Sequence, residues 1–236
     1  MQKGIKFRIY PNREQKNFIH QTLGCCRFIY NRGLAMRKES YEEGKKIGYT
    51  QTSAMLTELK RQEEFAFLKA ADSIALQQSL RDLDRSFVNF FQKRASYPTF
   101  KSKHNRFQSY RTVNQKDNIR IVGRYIKLPK LGFVKIRQSM EVGKINHVTI
   151  EYTPAGKYFA VLNIDFEPEP RPNAGGTIGI DVGIKAFYSD SNGNTVSNPR
   201  YLERAMRKLI REQRRLSRKQ KDSHNRGKQR LRVARV

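Results

Sequence analysis

Acidic residues are scarce: 21 Asp plus Glu stand against 48 Lys plus Arg in 236 residues, a formal net charge of +27. A chain so one-sided repels itself when compact and attracts polyanions over at least a Debye length. Cysteine is nearly missing as well. Cys25 and Cys26 are the only two and are adjacent, which suits neither a zinc site nor an ordinary disulfide and leaves two small residues of a helix. No apolar run approaches the ~20 residues of a membrane span, and Met1-Gln2-Lys3-Gly4 leads into no signal-peptide hydrophobic stretch. The sequence therefore predicts a cytoplasmic protein without a membrane partner. Its basic residues run the whole length of the chain and are interleaved with aromatics, so the polyanion expected is nucleic acid rather than a lipid surface.

Periodicity divides the chain. Ile5, Phe7 and Ile9 alternate with Lys6 and Arg8, which predicts a half-buried strand ended by Tyr10-Pro11-Asn12. Helical patterns follow. Asn12 with Gln15 three positions on forms a capping-box signal, Phe18, Ile19 and Leu23 make an apolar face, and Gly24 is read as a break. Further helices are expected from Cys25 to Glu43, from about Thr50, and from Ser73, the last with Ile74, Leu76, Leu80, Leu83, Phe87 and Phe90 on one stripe. Beyond Arg106 the period falls to 2. Strands are expected near 119–122, 125–128, 133–136, 145–153 and 157–166, the last two joined across Pro154-Ala155-Gly156. One strand, a helical block and then several strands predict an α+β fold, a β-barrel with helices inserted after its first strand. Residues 168–176, rich in proline, read as a linker between that domain and 177–236.

After the linker, Ile178, Ile180, Val182 and Ile184 alternate with Gly179, Asp181 and Gly183. On a strand Asp181 would share its face only with glycines, an arrangement that leaves room for a phosphate beside a metal-bound carboxylate. Asp190-Ser191-Asn192-Gly193-Asn194 then signals a hairpin. From Arg200 to Val236 there are 15 Lys or Arg and 3 Asp or Glu. Leu202, Met206, Leu209 and Leu216 form one side of a predicted helix, and Arg204, Arg207, Lys208, Arg211, Arg214, Arg215 and Arg218 project around the rest. Like charges at i, i+4 oppose such a helix in isolation, so it should lie against a nucleic-acid backbone.

Four colinear stretches resemble one family. Tyr10-Pro11-Asn12 with Gln15, Leu23-Gly24, Arg27-Phe28 and Tyr30-Asn31 is similar to the N-terminal motif of OrfB-type (TnpB) RNA-guided transposon nucleases, traditionally named transposases. Ala75 to Leu80 and Ile126 to Gly132 resemble their middle region, and Gly179 to Lys185 their first RuvC motif. The resemblance implies a wedge β-barrel from residues 1–10 and 101–167, a helical recognition lobe over 11–100, and a partial RNase H-like (RuvC) domain over 177–236. It implies a guide RNA from the transposon end and target DNA beside a short adjacent motif as partners, in a prokaryotic, nucleoid-associated setting. Tyr49, Ser53, Ser73 and Gln77, with Gln115 and Lys116, resemble the cleft that reads the adjacent motif. Asp181 corresponds to the first RuvC acid and to a Mg²⁺ ligand. The second and third acidic motifs and the cysteines of a zinc ribbon do not occur before Val236, so the expectation is a C-terminally truncated DNA-binding protein whose nuclease site is incomplete. Two alternatives stay open: an endonuclease whose remaining part lies on another chain or was removed, and a generic RNA- or DNA-binding accessory protein.

Overall fold

The computed structural model describes residues 1–105, 107–137, 142–168 and 175–236. It divides into two compact units, Met1–Glu167 and Pro168–Val236. Of the linker read from the sequence, residues 169–174 lie outside the described residues.

The first unit opens with strand β1 (Gln2–Tyr10), whose Ile5, Phe7 and Ile9 are buried as their alternation requires. Helix α1 (Arg13–Glu42) follows, capped by Asn12: its side chain accepts from the Gln15 backbone at 2.8 Å while Gln15 returns a bond to the Asn12 N–H at 3.0 Å. The same Gln15 side chain also donates to the carbonyl of Phe133 at 2.9 Å, tying the helix start to the sheet. Helix α1 runs unbroken for 30 residues, which corrects the break expected at Gly24. One interior glycine costs a helix only about 1 kcal/mol. Ile19, Leu23, Cys26, Ile29, Tyr30 and Leu34 keep a single buried stripe across it and outweigh that cost, at roughly 1.5–3 kcal/mol for each large aliphatic side chain buried.

Helices α2 (Tyr49–Arg61), α3 (Phe67–Ala70) and α4 (Ser73–Phe91) complete the insertion, the last capped by Asp72, whose carboxylate accepts from the Ile74 N–H. Strands β2 (Gln108–Val113), β3 (Arg120–Val122), β4 (Tyr125–Leu128), β5 (Gly132–Ile136), β6 (Ile145–Tyr152) and β7 (Tyr158–Asp165) then join β1 in one sheet. Its order is β2-β6-β7-β1-β5-β4-β3, antiparallel throughout, so the first strand sits in the middle. Among the described residues the sheet is open, with β2 and β3 as its edges, so the β-barrel expected from the sequence is not shown. Strand β3 has three residues, all of them bonded to β4, and pairs with no strand on its other side. Strand β2 was not foreseen, because its inward positions are Tyr110 and Thr112 rather than an apolar run.

Helices and sheet share one core. Ile19, Leu23 and Ile29 of α1 and Leu76 and Leu80 of α4 cluster with Val134, Val148, Ile150 and Leu162 of the sheet, so the helical insertion has no separate hydrophobic centre of that size. Three polar ties hold its connections. Asn31 bonds both backbone groups of Lys101, at 2.8 and 2.9 Å, and so pins the extended segment that leads to β2. Ser79 donates to the Cys26 carbonyl at 2.8 Å, joining α4 to α1. Lys130, with φ +57°, donates to the carbonyls of Lys69 and Ala71 at 2.6 and 2.9 Å and caps the C-terminal end of α3.

The second unit contains a three-stranded antiparallel sheet, β8 (Ile180–Asp181), β9 (Ala186–Asp190) and β10 (Thr195–Ser197), with β9 central. Helices α5 (Tyr201–Ser217) and α6 (His224–Ala234) follow and pack on each other. Among the described residues no helix is long and apolar enough to cross a membrane.

The two glycines of α1 should respond oppositely to substitution. A Cβ at Gly33 would lie 2.9 and 3.0 Å from methyl carbons of Leu80 and Leu83, whereas at Gly24 the nearest atom is the Arg27 guanidinium at 4.0 Å. Gly24→Ala is expected to stabilise by roughly 0.5–1 kcal/mol through helix propensity, and Gly33→Val to destabilise by about 1–3 kcal/mol through overpacking. Thermal unfolding of both variants by circular dichroism checks this; equal shifts would mean that the α1–α4 contact at Gly33 is loose.

Candidate nucleic-acid interface

Two basic surfaces stand out, one in each unit. In the first, a cleft of about 540 Å³ lies between α4, the start of α2 and the β2–β6 edge. Tyr49, Gln78, Arg81, Arg85, Arg111 and His147 are among the residues that line it. Arg81 lies over the Tyr49 ring at 4.6 Å, and Arg111 is paired with Asp82. Neither Arg81 nor Arg85 has a carboxylate partner among the described residues. Burial, followed by the charge of Arg111, holds the His147 imidazole below its usual range and favours the neutral ring at pH 7.

The residues read as the motif-reading group are only partly gathered here. Tyr49 lines the cleft. Contacts at both ends, Arg81 to Tyr49 and Lys60 to Ser73 at 3.2 Å, make α2 and α4 antiparallel, so Ser53 and Gln77 fall along the same stretch of that helix pair. Gln77 and Ser73 are exposed, one helical turn apart. Gln115 and Lys116 occupy the exposed turn that follows β2, where Lys116 adopts φ +51°, and they do not line the cleft. Arg81, Arg85 and Arg111 escaped the sequence reading because their charge was indistinguishable from that of the other cations until α4 and β2 were brought together.

In the second unit α5 and α6 pack around a polar centre instead of an apolar one. The Glu212 side chain is only 8 % exposed; it pairs with Arg215 at 2.9 Å and accepts from the Gln229 amide at 2.7 Å. The same amide also donates to the Glu212 carbonyl at 3.1 Å. These two residues were not foreseen, and the only signal was a glutamate within an otherwise basic run. The apolar side of α5 contributes less than expected: Leu209 and Leu216 are half-buried, but Leu202 and Met206 are exposed. Arg207 approaches Glu203 at 3.7 Å and Arg211 approaches Glu212 at 3.9 Å. Arg204, Lys208, Arg214 and Arg218 carry no carboxylate partner among the described residues. A groove of about 450 Å³ between the two helices is lined by Arg215, Arg218, Lys219, Lys228 and Arg232. Such a surface can bridge phosphate oxygens without reading bases.

Asp181 pairs in register with Ser189 on β9 and is exposed. Only two residues of the predicted strand are paired, and the four aliphatic side chains alternating with Asp181 are each more than half exposed. The nearest acid in the sheet, Asp190, is committed elsewhere. Its carboxylate accepts from the side chain and backbone of Asn194 and from the backbone of Asn192, bonds that hold its pKa low and close the hairpin with Gly193 at φ +83°. Among the described residues no group of three or more His, Cys, Asp or Glu could hold a metal ion, and Asp181 supplies one of the several oxygens a divalent ion takes. The described residues therefore do not by themselves fit a two-ion site.

Comparison with known proteins identifies the family. Residues 1–46 match an OrfB family model described as a helix-turn-helix domain, and residues 147–236 match one described as "Probable transposase". A relative from Streptomyces pristinaespiralis, named as an RNA-guided DNA endonuclease, is 36 % identical over all of this chain and 60 % of its own length. The Escherichia coli K12 protein InsQ, named likewise, is 34 % identical over 99 % of this chain and 58 % of its own length. The chain belongs to the OrfB family. It spans about three fifths of the length of these relatives. The protein in a cryo-EM structure of a Cas12f1–sgRNA–target DNA complex is 13 % identical, with a TM-score of 0.48 over 99 % of this chain and 74 % of the other. In this OrfB chain the region of the helix-turn-helix model is one strand and one continuous helix, because the buried stripe of α1 carries through both glycines.

The Glu212 clamp makes the α5–α6 pairing sensitive to acid. The Gln229 amide, and after it Arg215, Arg211 and Arg232, favour the ionised carboxylate and lower its pKa. A lowered folded-state pKa contributes stability that is present above the ordinary glutamate range and is lost as pH falls through the folded value. Amide exchange in α6, corrected for intrinsic pH effects, is expected to show weaker protection below that range than at neutral pH. Glu212→Gln should remove most of the difference; an unchanged pH response in that variant would assign it to other carboxylates.

Proposed function

We propose that this chain supplies the nucleic-acid-holding part of an RNA-guided DNA endonuclease, with a guide RNA from the transposon end and target DNA beside a short adjacent motif as its partners. The observation that carries the reading is the set of uncompensated cations on α5 and α6 in a chain whose whole length aligns with relatives named for that activity. Guide pairing would read the target sequence, while the protein holds backbones by shape and charge. In this reading residues 1–10 and 101–167 act as the wedge, 11–100 as the recognition lobe, and 177–236 as the opening part of a RuvC domain. Asp181 would be one of the carboxylates that hold Mg²⁺ in the complete site, its partner ligands not being among the described residues.

The helix pair α5–α6 is proposed to grip phosphates, and its unpaired cations give the test. Replacing Lys208, Arg214 and Arg218 together by Gln is expected to lower the log–log salt slope of RNA binding by about two, at roughly 0.7 per phosphate on a single strand. Motif preference should not change, since backbone contacts carry no base identity. Titrations across a salt series decide it. Equal slopes would leave these helices without a backbone-binding role.

The α2–α4 pair and the cleft at its Tyr49 end are proposed to read the adjacent motif. Glutamine can bond an adenine edge bidentately, and Gln77 presents an exposed amide on α4. Gln77→Ala should cost about 1–3 kcal/mol on the preferred motif and little on others. Binding to a randomised motif library measures this; a uniform loss on every sequence would make Gln77 a structural residue instead.

A further inference from the structure

The seven-stranded sheet has a second face, and its part formed by β1, β5, β4 and β3 is used by none of the foregoing. Helices α1 and α4 join the core on one side, through Ile5, Phe7, Ile9, Ile126, Val134 and Ile136. The side chains between these positions point the other way. Register places them in rows. Tyr10 of β1 lies opposite Lys135 of β5, and Lys135 lies opposite Tyr125 of β4. In the next row Phe133 lies opposite Lys127, and Lys127 lies opposite Arg120 of β3. Rings and cations thus alternate along β1, β4 and β5 and across the first row from β1 to β4, whereas the second row sets one ring beside two cations. Tyr10, Tyr125 and Phe133 are 48, 47 and 50 % exposed, a large share for aromatic residues inside a sheet. Arg8, two residues before Tyr10, lies 5.6 Å from its ring. No acid occupies any position of either row.

We propose that this face is a stacking platform for unpaired nucleotides of a single-stranded nucleic acid. The rings offer flat apolar surface to a base, and the cations between them answer its phosphates. Neighbouring strands are about 4.8 Å apart, so Tyr10 and Tyr125 stand roughly 10 Å apart with Lys135 between them. A duplex keeps its bases stacked and paired and cannot use the rings in this way; an unpaired strand can. An acidic protein surface would complement the cations but would leave three half-exposed rings without a specific contact. The proposal depends on the nucleic-acid reading above only for the class of polymer, because it stands on residues of the first unit alone.

The chain contains no tryptophan, so Phe133→Trp introduces a single fluorescent reporter at the centre of the platform. Titration with short oligouridylate, short oligodeoxyuridylate and a DNA duplex is expected to quench it with either single strand and to leave it unchanged with the duplex. A difference between the two single strands would identify the sugar that the face accepts. Tyr10→Ala together with Tyr125→Ala should weaken single-strand binding about tenfold per ring, in line with base stacking on aromatics, while the Lys208, Arg214 and Arg218 variant should keep the quench at saturation. Binding without quench, or equal quench by duplex, overturns the platform and leaves the function proposed above intact. Absence of binding to any nucleic acid by the unsubstituted chain overturns both. Should the double tyrosine variant unfold, the Trp titration decides by itself.

Discussion

Uncompensated positive charge is the constraint to which the rest of this molecule answers. With 21 acids against 48 bases, most cations have no carboxylate to meet. Several of the acids that do pair tie one element to another: Asp84 holds Arg37, Asp82 holds Arg111 and Glu151 holds Lys6, while Glu212 holds Arg215 within α5. Like charges about 4 Å apart in water repel by roughly 1 kcal/mol, so the cations gathered in the cleft of the first unit and along α5 and α6 oppose one another unless an anion lies against them. Those two surfaces are complementary to a polyanion.

Apolar burial must carry the fold against this repulsion, and the two units meet that demand differently. In the first, helices and sheet combine their inward residues into one core, and α1 stays continuous through two glycines to serve it. In the second, α5 and α6 share little buried apolar surface, and a buried glutamate–amide pair, flanked by the exposed Arg215 guanidinium, takes its place. A polar centre of that kind holds only while every member is satisfied. It suits a helix pair whose remaining surface is given over to cations.

Family resemblance and site geometry carry different information here. Asn31, Ser79 and Lys130 lie within the stretches that pointed to the OrfB family, and in the structure each is a structural tie: to the Lys101 backbone, to the Cys26 carbonyl and to the end of α3. The cleft cations Arg81, Arg85 and Arg111 lie in none of those stretches. In this chain those stretches therefore hold the fold together at these three positions.

Local chemistry determined what could be read without coordinates. The capping box at Asn12 and Gln15, the strand alternation of β1 and β3 to β7, the Asn-Gly hairpin after β9 and the basic character of α5 all depend on residues within a few positions of one another. Tertiary structure alone decided the rest, because each remaining feature joins distant positions. The passage of α1 through Gly24 depends on a buried stripe that other elements cover. The open sheet depends on a three-residue β3 that pairs only with β4. The burial of Glu212 depends on Gln229, seventeen residues away. The alternating rings and cations of the outer sheet face depend on the register of four strands, which brings Tyr10 beside Lys135 and Lys135 beside Tyr125 across more than a hundred residues of chain.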